Sequence, residues 1–358
     1  MGIAGLNKFL REICPHVYQK VELKDFAYQK CAIDTSLYLY KYMAIFGDGW
    51  MSAFVNLVVC LKSNHIHPCF IFDNGCPEEK LIERARRKES RCKIDDKVSA
   101  LEHELTKYYS TGIFSQFLET VYTEKCLENK RSPKRLLSKR IVPNDDKIKK
   151  IEEELERISK QSIHVTNTDI ATLKAFLTLM KIPYFDAVLE AETTCVDLCK
   201  QKKVDFVMSE DSDVFAYGCP ITIKDVNTSD GTCVAVVYSD IINSLDMTES
   251  TFLDFCIMCG CDYNSNIPLL GCKKAYGFMK EYKSIDAFLT SAFTKDSSML
   301  KYVRVRELFT DYSRCDYIVP YSETVETFDE ISTFLFTKNI KYDGEKIRVA
   351  FSPSLFSV

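Results

Sequence analysis

Apolar positions along the chain alternate between two periods, and this alternation predicts helices separated by short buried strands. Ile3, Leu6 and Leu10 lie near helical spacing and predict an amphipathic helix over 2–12. Cys31-Ala32-Ile33 is continuously apolar and stops on Asp34, after which Leu37, Tyr38 and Tyr40 mark a helix. A further helix over 50–62 leads into Pro68-Cys69-Phe70-Ile71-Phe72, which stops on Asp73. A third run, Val204-Asp205-Phe206-Val207-Met208, opens onto Ser209-Glu210-Asp211-Ser212-Asp213. Continuously apolar runs between helices are the pattern of a parallel sheet covered on both faces. The predicted fold class is therefore α/β, a central mostly parallel twisted sheet flanked by helices. More strands are expected at 221–224 and 232–238, and a helix over 249–261 stops at Asp262. A turn at 267–275 enters another helix, and the tail from 285 reads as mostly helical.

Ligands of such sheets gather at the carboxyl ends of the strands, and three of these strands end on aspartates. One aspartate after a strand is commonly just the cap of the next helix; three in a row ask for another reason. Glu190 with Glu192, and Asp211 with Asp213, add two pairs at i, i+2 spacing. Residues two apart share a side only in extended or irregular backbone, so these pairs belong at element ends. Together with Asp262 they make seven carboxylates: Asp34, Asp73, Glu190, Glu192, Asp211, Asp213 and Asp262. Gathering so many anions is unfavourable unless divalent cations neutralise them, and all-oxygen ligands select Mg²⁺ or Mn²⁺ over zinc. Two such ions suit phosphodiester hydrolysis, in which one side of the reaction needs an activated water and the other a stabilised leaving oxygen.

Lys80, Arg84, Arg87 and Arg91 step by four, three and four, forming one basic stripe on a helix directly after Asp73. Such a stripe is usually a solvated face, but here Lys80 and Arg87 are placed to offset charge on a scissile phosphate. Residues 92–165 are long and highly charged, with helices expected at 99–109 and 147–160. Between these, Lys125, Lys130, Arg131, Lys134, Arg135, Lys139 and Arg140 cluster near Tyr122, a pattern that suits either a disordered loop or a flexible cover over nucleic acid. At the 267–275 turn, Gly271 precedes a helix whose start carries Lys273 and Lys274; free backbone N–H groups there can bind phosphate.

Composition narrows the field. Net charge is only −4, so nucleic-acid binding would rest on local patches. The apolar run near 53–61 is too short to cross a bilayer, and no secretory leader opens the sequence, so an intracellular protein is expected. Sixteen cysteines are then free thiols. A zinc site at Cys256, Cys259, Cys261 and Cys272 is disfavoured by a single Cys-x-x-Cys and only five histidines. The absence of Gly-x-x-x-x-Gly-Lys leaves no support for a P-loop ATPase.

These residues carry a resemblance to the flap endonuclease branch of the XPG family of structure-specific 5′ nucleases over nearly the whole chain. It is carried by the opening Met1-Gly2-Ile3 and Gly5-Leu6, by Ala32-Ile33-Asp34, Ile71-Phe72-Asp73, Glu190-Ala191-Glu192-Thr193, Glu210-Asp211-Ser212-Asp213 and Gly260-Cys261-Asp262-Tyr263. The resemblance implies metal coordination by the seven carboxylates and a catalytic pair in Lys80 and Arg87. It implies base stacking on Tyr40, a freed amine of Gly2 near the active site, and DNA contacts from Arg84 and Arg91. It also implies a helical arch and, at 267–277, a helix-two-turn-helix that grips duplex backbone through Gly271, Lys273 and Lys274 with help from K⁺. The expected regions are 1–91 and 166–263 for the nuclease, 92–165 for the arch, and 264–358 for the DNA-gripping and C-terminal helices.

The expected function is cleavage of 5′ flaps in DNA by a monomer in replication, repair or recombination, located in the nucleus, or in the host nucleus or cytoplasm for a viral member. A 5′–3′ exonuclease or junction resolvase of the same family is the alternative, followed by a DNA-binding scaffold without chemistry and a small-molecule phosphohydrolase. Three departures stand out. Leu269 replaces the first glycine of the two-glycine turn. The 73-to-190 spacing implies an insertion in the arch. No sliding-clamp docking peptide follows Arg348.

Overall fold

The computed structural model describes residues 2–128, 143–291, 296–323 and 328–351. Seven strands form one sheet: β1 (Gln19–Glu22), β2 (Lys30–Asp34), β3 (His67–Phe72), β4 (Tyr184–Asp186), β5 (Phe206–Met208), β6 (Ile221–Lys224) and β7 (Thr232–Val237). Their order is β1-β7-β6-β5-β2-β3-β4. The four central pairings, β6·β5, β5·β2, β2·β3 and β3·β4, are parallel, and the two at the β1 edge are antiparallel. The sheet is mostly parallel, as the apolar runs predict.

The helices are α1 (Leu6–Ile13), α2 (Thr35–Phe46), α3 (Trp50–Ser63), α4 (Leu81–Thr111), α5 (Gln116–Glu128), α6 (Asn144–Ser159), α7 (Asn167–Leu179) and α8 (Ala191–Lys200). They continue with α9 (Asp213–Ala216), α10 (Tyr238–Leu245), α11 (Glu249–Cys259), α12 (Cys272–Tyr282), α13 (Ile285–Thr290), α14 (Tyr302–Thr310), α15 (Asp329–Thr337) and α16 (Gly344–Phe351). The chain divides into two compact units, one of Met1–Tyr42, Asp48–Glu83 and Val165–Val358, the other of Met43–Gly47 and Arg84–His164.

The first unit holds the sheet. Register sets β2 against β3 and β5, with Asp34 opposite Ile71 and Ile33 opposite Met208, so the ends of β2, β3 and β5 fall at one edge. Ala32, Ile71 and Val207 are fully buried in a core completed by α1, α8 and α11. The second unit has its own small core, where Leu101 and Leu105 of α4 meet Leu118 and Val121 of α5 and Ile148, Ile151 and Ile158 of α6.

Two expectations need correction. The helix carrying the basic stripe and the helix expected at 99–109 are one 31-residue helix over 81–111, because its surface is polar on nearly every side and offers no apolar stripe that would join them. The apolar stretch Thr35–Ser63 is longer than the 53–61 run and long enough to cross a membrane by length and composition. It is instead α2 and α3 broken by a 3₁₀ turn at Gly47–Gly49, with α3 burying Phe54, Leu57, Val58 and Leu61 in the core. Of the 125–140 basic cluster, Lys125 lies on α5, 3.7 Å from Glu154, and the other six lie outside the described residues.

Candidate active site

The site is built where β2, β3 and β5 hand the chain to the following elements. Asp34 ends β2 and also caps α2: its Oδ1 accepts from Leu37 N at 3.4 Å, while Oδ2 accepts from Ser209 Oγ at 3.2 Å. The cap and the site role therefore coexist on one side chain. Asp73 follows β3 and accepts from Ala191 N, the first residue of α8, at 2.7 Å. Glu190 is the extended N-cap of that helix and Glu192 lies in its first turn, so the pair sits at an element end as its spacing requires. After β5, Ser209 Oγ holds Asp211 N at 3.1 Å, and Asp211 Oδ1 accepts from Asp213 N at 3.1 Å. Helix N-termini favour anions through their free N–H groups, which helps place four of these carboxylates at the starts of α8 and α9.

All seven carboxylates come together. Oxygens of Glu192, Asp211 and Asp213 lie within 4.8 Å of one another. Asp34 feels both Asp73 and Asp211; burial first and then these neighbours push its carboxyl up to about 8. Burial likewise pushes Asp213 up, Asp211 adding to it, and Asp262 and Glu190 act in the same sense. Asp213 is fully buried and neither of its oxygens has a hydrogen-bond partner among the described residues. Buried carboxylate oxygens without a donor are costly, and a divalent cation would satisfy them. The donor set is entirely carboxylate oxygen, which fits a hard cation.

Lys80, the last residue before α4, reaches into this cluster. Its Nζ lies 2.5 Å from Glu190 Oε1, 3.2 Å from Glu192 Oε1 and 3.3 Å from Asp262 Oδ2. Burial alone would lower the ammonium's pKa; Glu192, Glu190, Asp213 and Asp262 more than reverse this, so Lys80 stays charged. Its expected partner Arg87 lies on α4 in the second unit, with Arg84 and Arg91. Tyr40 lies on α2 in the first unit, 39% exposed.

Gly2 borders the cluster at φ +80°; a Cβ there would lie 2.0 Å from Asp211 Oδ1 and 2.8 Å from Asp213 N. Only glycine fits both the angle and the space. Gly2→Ala is therefore expected to push the N-terminal segment or Asp211 out of place and slow the reaction at least tenfold, an estimate for a misplacement of about 1 Å, measured as a single-turnover rate.

Sequence reading passed over two side chains here. Tyr263 donates to Glu190 Oε2 at 2.7 Å, and Tyr217 is 2.6 Å from the Tyr263 hydroxyl. Tyr263 directly follows Asp262, which was a signal for the first; nothing local points to Tyr217.

The turn between α11 and α12 and the start of α12 carry the residues expected to grip DNA. Leu269 takes the left-handed conformation, φ +67°, and is 83% exposed. A non-glycine residue there is strained by roughly 1–2 kcal/mol, more than the ~0.5–1 kcal/mol that glycine's extra freedom costs on folding. Leu269→Gly is therefore expected to raise stability by about 0.5 kcal/mol in urea denaturation, since an exposed side chain gives up no burial. Gly271 is the N-cap of α12 with ordinary φ. Lys273 pairs with Glu12.

The expectation of K⁺ in this turn does not fit the residues. Lys274 Nζ donates to Leu269 O at 3.1 Å and Asn266 Nδ2 to Leu270 O at 3.1 Å, while Ile267 O takes Leu270 N at 3.0 Å. K⁺ sites converge carbonyl oxygens; those of Ile267, Leu269 and Leu270 here already accept from the turn's own donors, one of them a cation. The nearby thiols are likewise engaged, Cys272 Sγ with Ala4 O at 2.9 Å and Cys261 Sγ with Asn264 Oδ1 at 2.8 Å.

A mostly parallel sheet that delivers seven carboxylates and a charged lysine to one edge defines an α/β protein with an acidic site suited to a hard cation. The comparisons with known proteins say which. The XPG N-terminal domain matches residues 1–94 and the XPG I-region matches 181–262. A probable RAD2-like endonuclease of Invertebrate iridescent virus 6 is 32% identical over 337 residues, covering 87% of this chain and 80% of the relative. Flap endonuclease 1 of Cryptosporidium muris is 27% identical over 343 residues, covering 87% and 62%. The catalytic core of Rad2, solved in complex with DNA substrate, shares the fold at TM-score 0.65 and 17% identity, covering 98% of each chain. The chain belongs to the XPG and flap endonuclease family of structure-specific nucleases.

Proposed function

We propose that this protein cuts DNA phosphodiesters at 5′ flaps in a Mg²⁺-dependent reaction, with Mn²⁺ as a substitute, during replication, repair or recombination. The observation that carries the reading is the gathering of Asp34, Asp73, Glu190, Glu192, Asp211, Asp213 and Asp262, with both Asp213 oxygens buried and without a donor. In this reading the seven carboxylates hold two ions, directly or through water. Bound there, the ions would activate water and stabilise the leaving oxygen. Lys80 keeps its charge among the carboxylates and offsets negative charge that builds up on the scissile phosphate. The small Gly2 leaves room for its amine beside Asp211. Tyr40 offers a half-open ring for stacking a base. The start of α12, with Gly271, Lys273 and Lys274, offers N–H groups and ammonium groups to backbone phosphates, and Arg84, Arg87 and Arg91 offer guanidinium groups.

Cleavage of labelled 5′-flap, nicked, gapped and four-way DNA in Mg²⁺ tests the substrate. The flap is expected to be cut fastest, near its branch. Preference for the four-way junction or for stepwise removal from a nick would replace flap cleavage by the resolvase or exonuclease activity of the same family.

A further inference from the structure

We propose that Tyr263 and Tyr217 are positioning residues that hold Glu190 in the acidic site through a one-way relay of hydroxyl hydrogen bonds. The inference rests on the metal-site reading above.

A carboxylate can only accept, so the Tyr263 hydroxyl, 2.7 Å from Glu190 Oε2, donates to it. Its single proton is then spent. The Tyr217 hydroxyl, 2.6 Å from the Tyr263 oxygen, must therefore be the donor in that bond. The Tyr217 oxygen is left to accept. Every proton runs the same way, toward the carboxylate, and each bond in such a chain polarises the next.

The rings have little freedom to move. Tyr217 and Tyr263 are each 3% exposed. Phe309 of α14 packs on both, with ring centroids 4.7 Å from Tyr217 and 5.3 Å from Tyr263, and Tyr312 closes on Tyr217 at 5.6 Å. This clamp fixes the Tyr263 hydroxyl and so fixes which Glu190 oxygen it holds. The other, Oε1, is thereby turned to Lys80 at 2.5 Å. The bond that links Tyr217 to the site runs through Tyr263.

The test uses the full chain with Tyr263→Phe, Tyr217→Phe and the double variant, which remove hydroxyls and keep the rings. Two quantities are read: Mn²⁺ affinity by calorimetry without DNA, and the single-turnover rate on a 5′-flap duplex in Mg²⁺. Tyr263→Phe is expected to weaken both by about 10- to 100-fold, the usual effect of losing a partner that orients a ligand. Tyr217→Phe is expected to weaken both by less. The double variant is expected to match Tyr263→Phe, because residues acting along one path are not additive. A purely structural role would lower the melting temperature and leave Mn²⁺ affinity and rate at wild-type values, which overturns the proposal, as do additive losses in the double variant. Should Tyr263→Phe not fold, Tyr217→Phe decides by the same two readings. A wild-type protein that neither binds Mn²⁺ nor cuts DNA overturns the underlying metal-site reading, and the relay with it.

Discussion

Asp211→Ala is expected to abolish flap cleavage, with the rate falling by well over the roughly 10- to 100-fold seen when only an outer partner of a metal ligand is lost. Asp211 shares a 4.8 Å cluster with Glu192 and Asp213, and it also accepts from the Asp213 backbone at 3.1 Å. Removing it takes away a proposed ligand and loosens the start of α9, which carries Asp213. The folded state should survive, because the substitution also relieves crowding among buried anions: Asp211 raises the pKa of Asp34, Glu192 and Asp213. A melting temperature at or above that of wild type in chelator, combined with a lost single-turnover rate, is the expected pair of results. Wild-type cleavage by Asp211→Ala would exclude this carboxylate from the chemistry.

Lys80→Met should be damaging in a different way. Methionine keeps much of the length and removes the charge, leaving Glu190, Glu192 and Asp262 without the ammonium now 2.5–3.3 Å away. Taking one partner from a buried ion pair costs about 3–5 kcal/mol, because the remaining charges stay buried and uncompensated. The stability loss in urea should be largest in chelator and shrink when Mn²⁺ is added, since a bound cation takes over part of the neutralisation. Cleavage should fall by about 10²–10³-fold, the scale for losing one preorganised charge-stabilising group. Equal stability of Lys80→Met and wild type in chelator would contradict the electrostatic account of the cluster.

The carboxylates were legible in the sequence for a physical reason. Asp34, Asp73 and Asp211 each follow a continuously apolar run, and in a parallel sheet those run ends share an edge. The Glu190–Glu192 spacing likewise placed that pair at a helix start. Elements without such a signal were missed. β1 reads Gln-Lys-Val-Glu, a polar edge strand, and β4 is three residues long. The length of α4 was hidden by a surface that buries only Leu101 and Leu105. Lys80 was expected at the site from its place after Asp73, and the structure puts it there, but its partners Glu190, Glu192 and Asp262 lie more than 100 positions away and no stripe names them. The tyrosine relay depends on contacts 46 and 73 positions apart, which no local pattern encodes. The turn at Leu269 could be flagged from its residue type, but the donors from Asn266 and Lys274 that fill it belong to the folded structure.

Metal-dependent flap cleavage is tested most directly by the single-turnover rate of the wild-type protein on a 5′-labelled flap duplex, in Mg²⁺ and in excess chelator. Cleavage near the branch in Mg²⁺, lost in chelator and restored by Mn²⁺, is the predicted result. No cleavage in either cation, or cleavage that persists unchanged in chelator, would contradict the assignment of these seven carboxylates to a metal-dependent nuclease site.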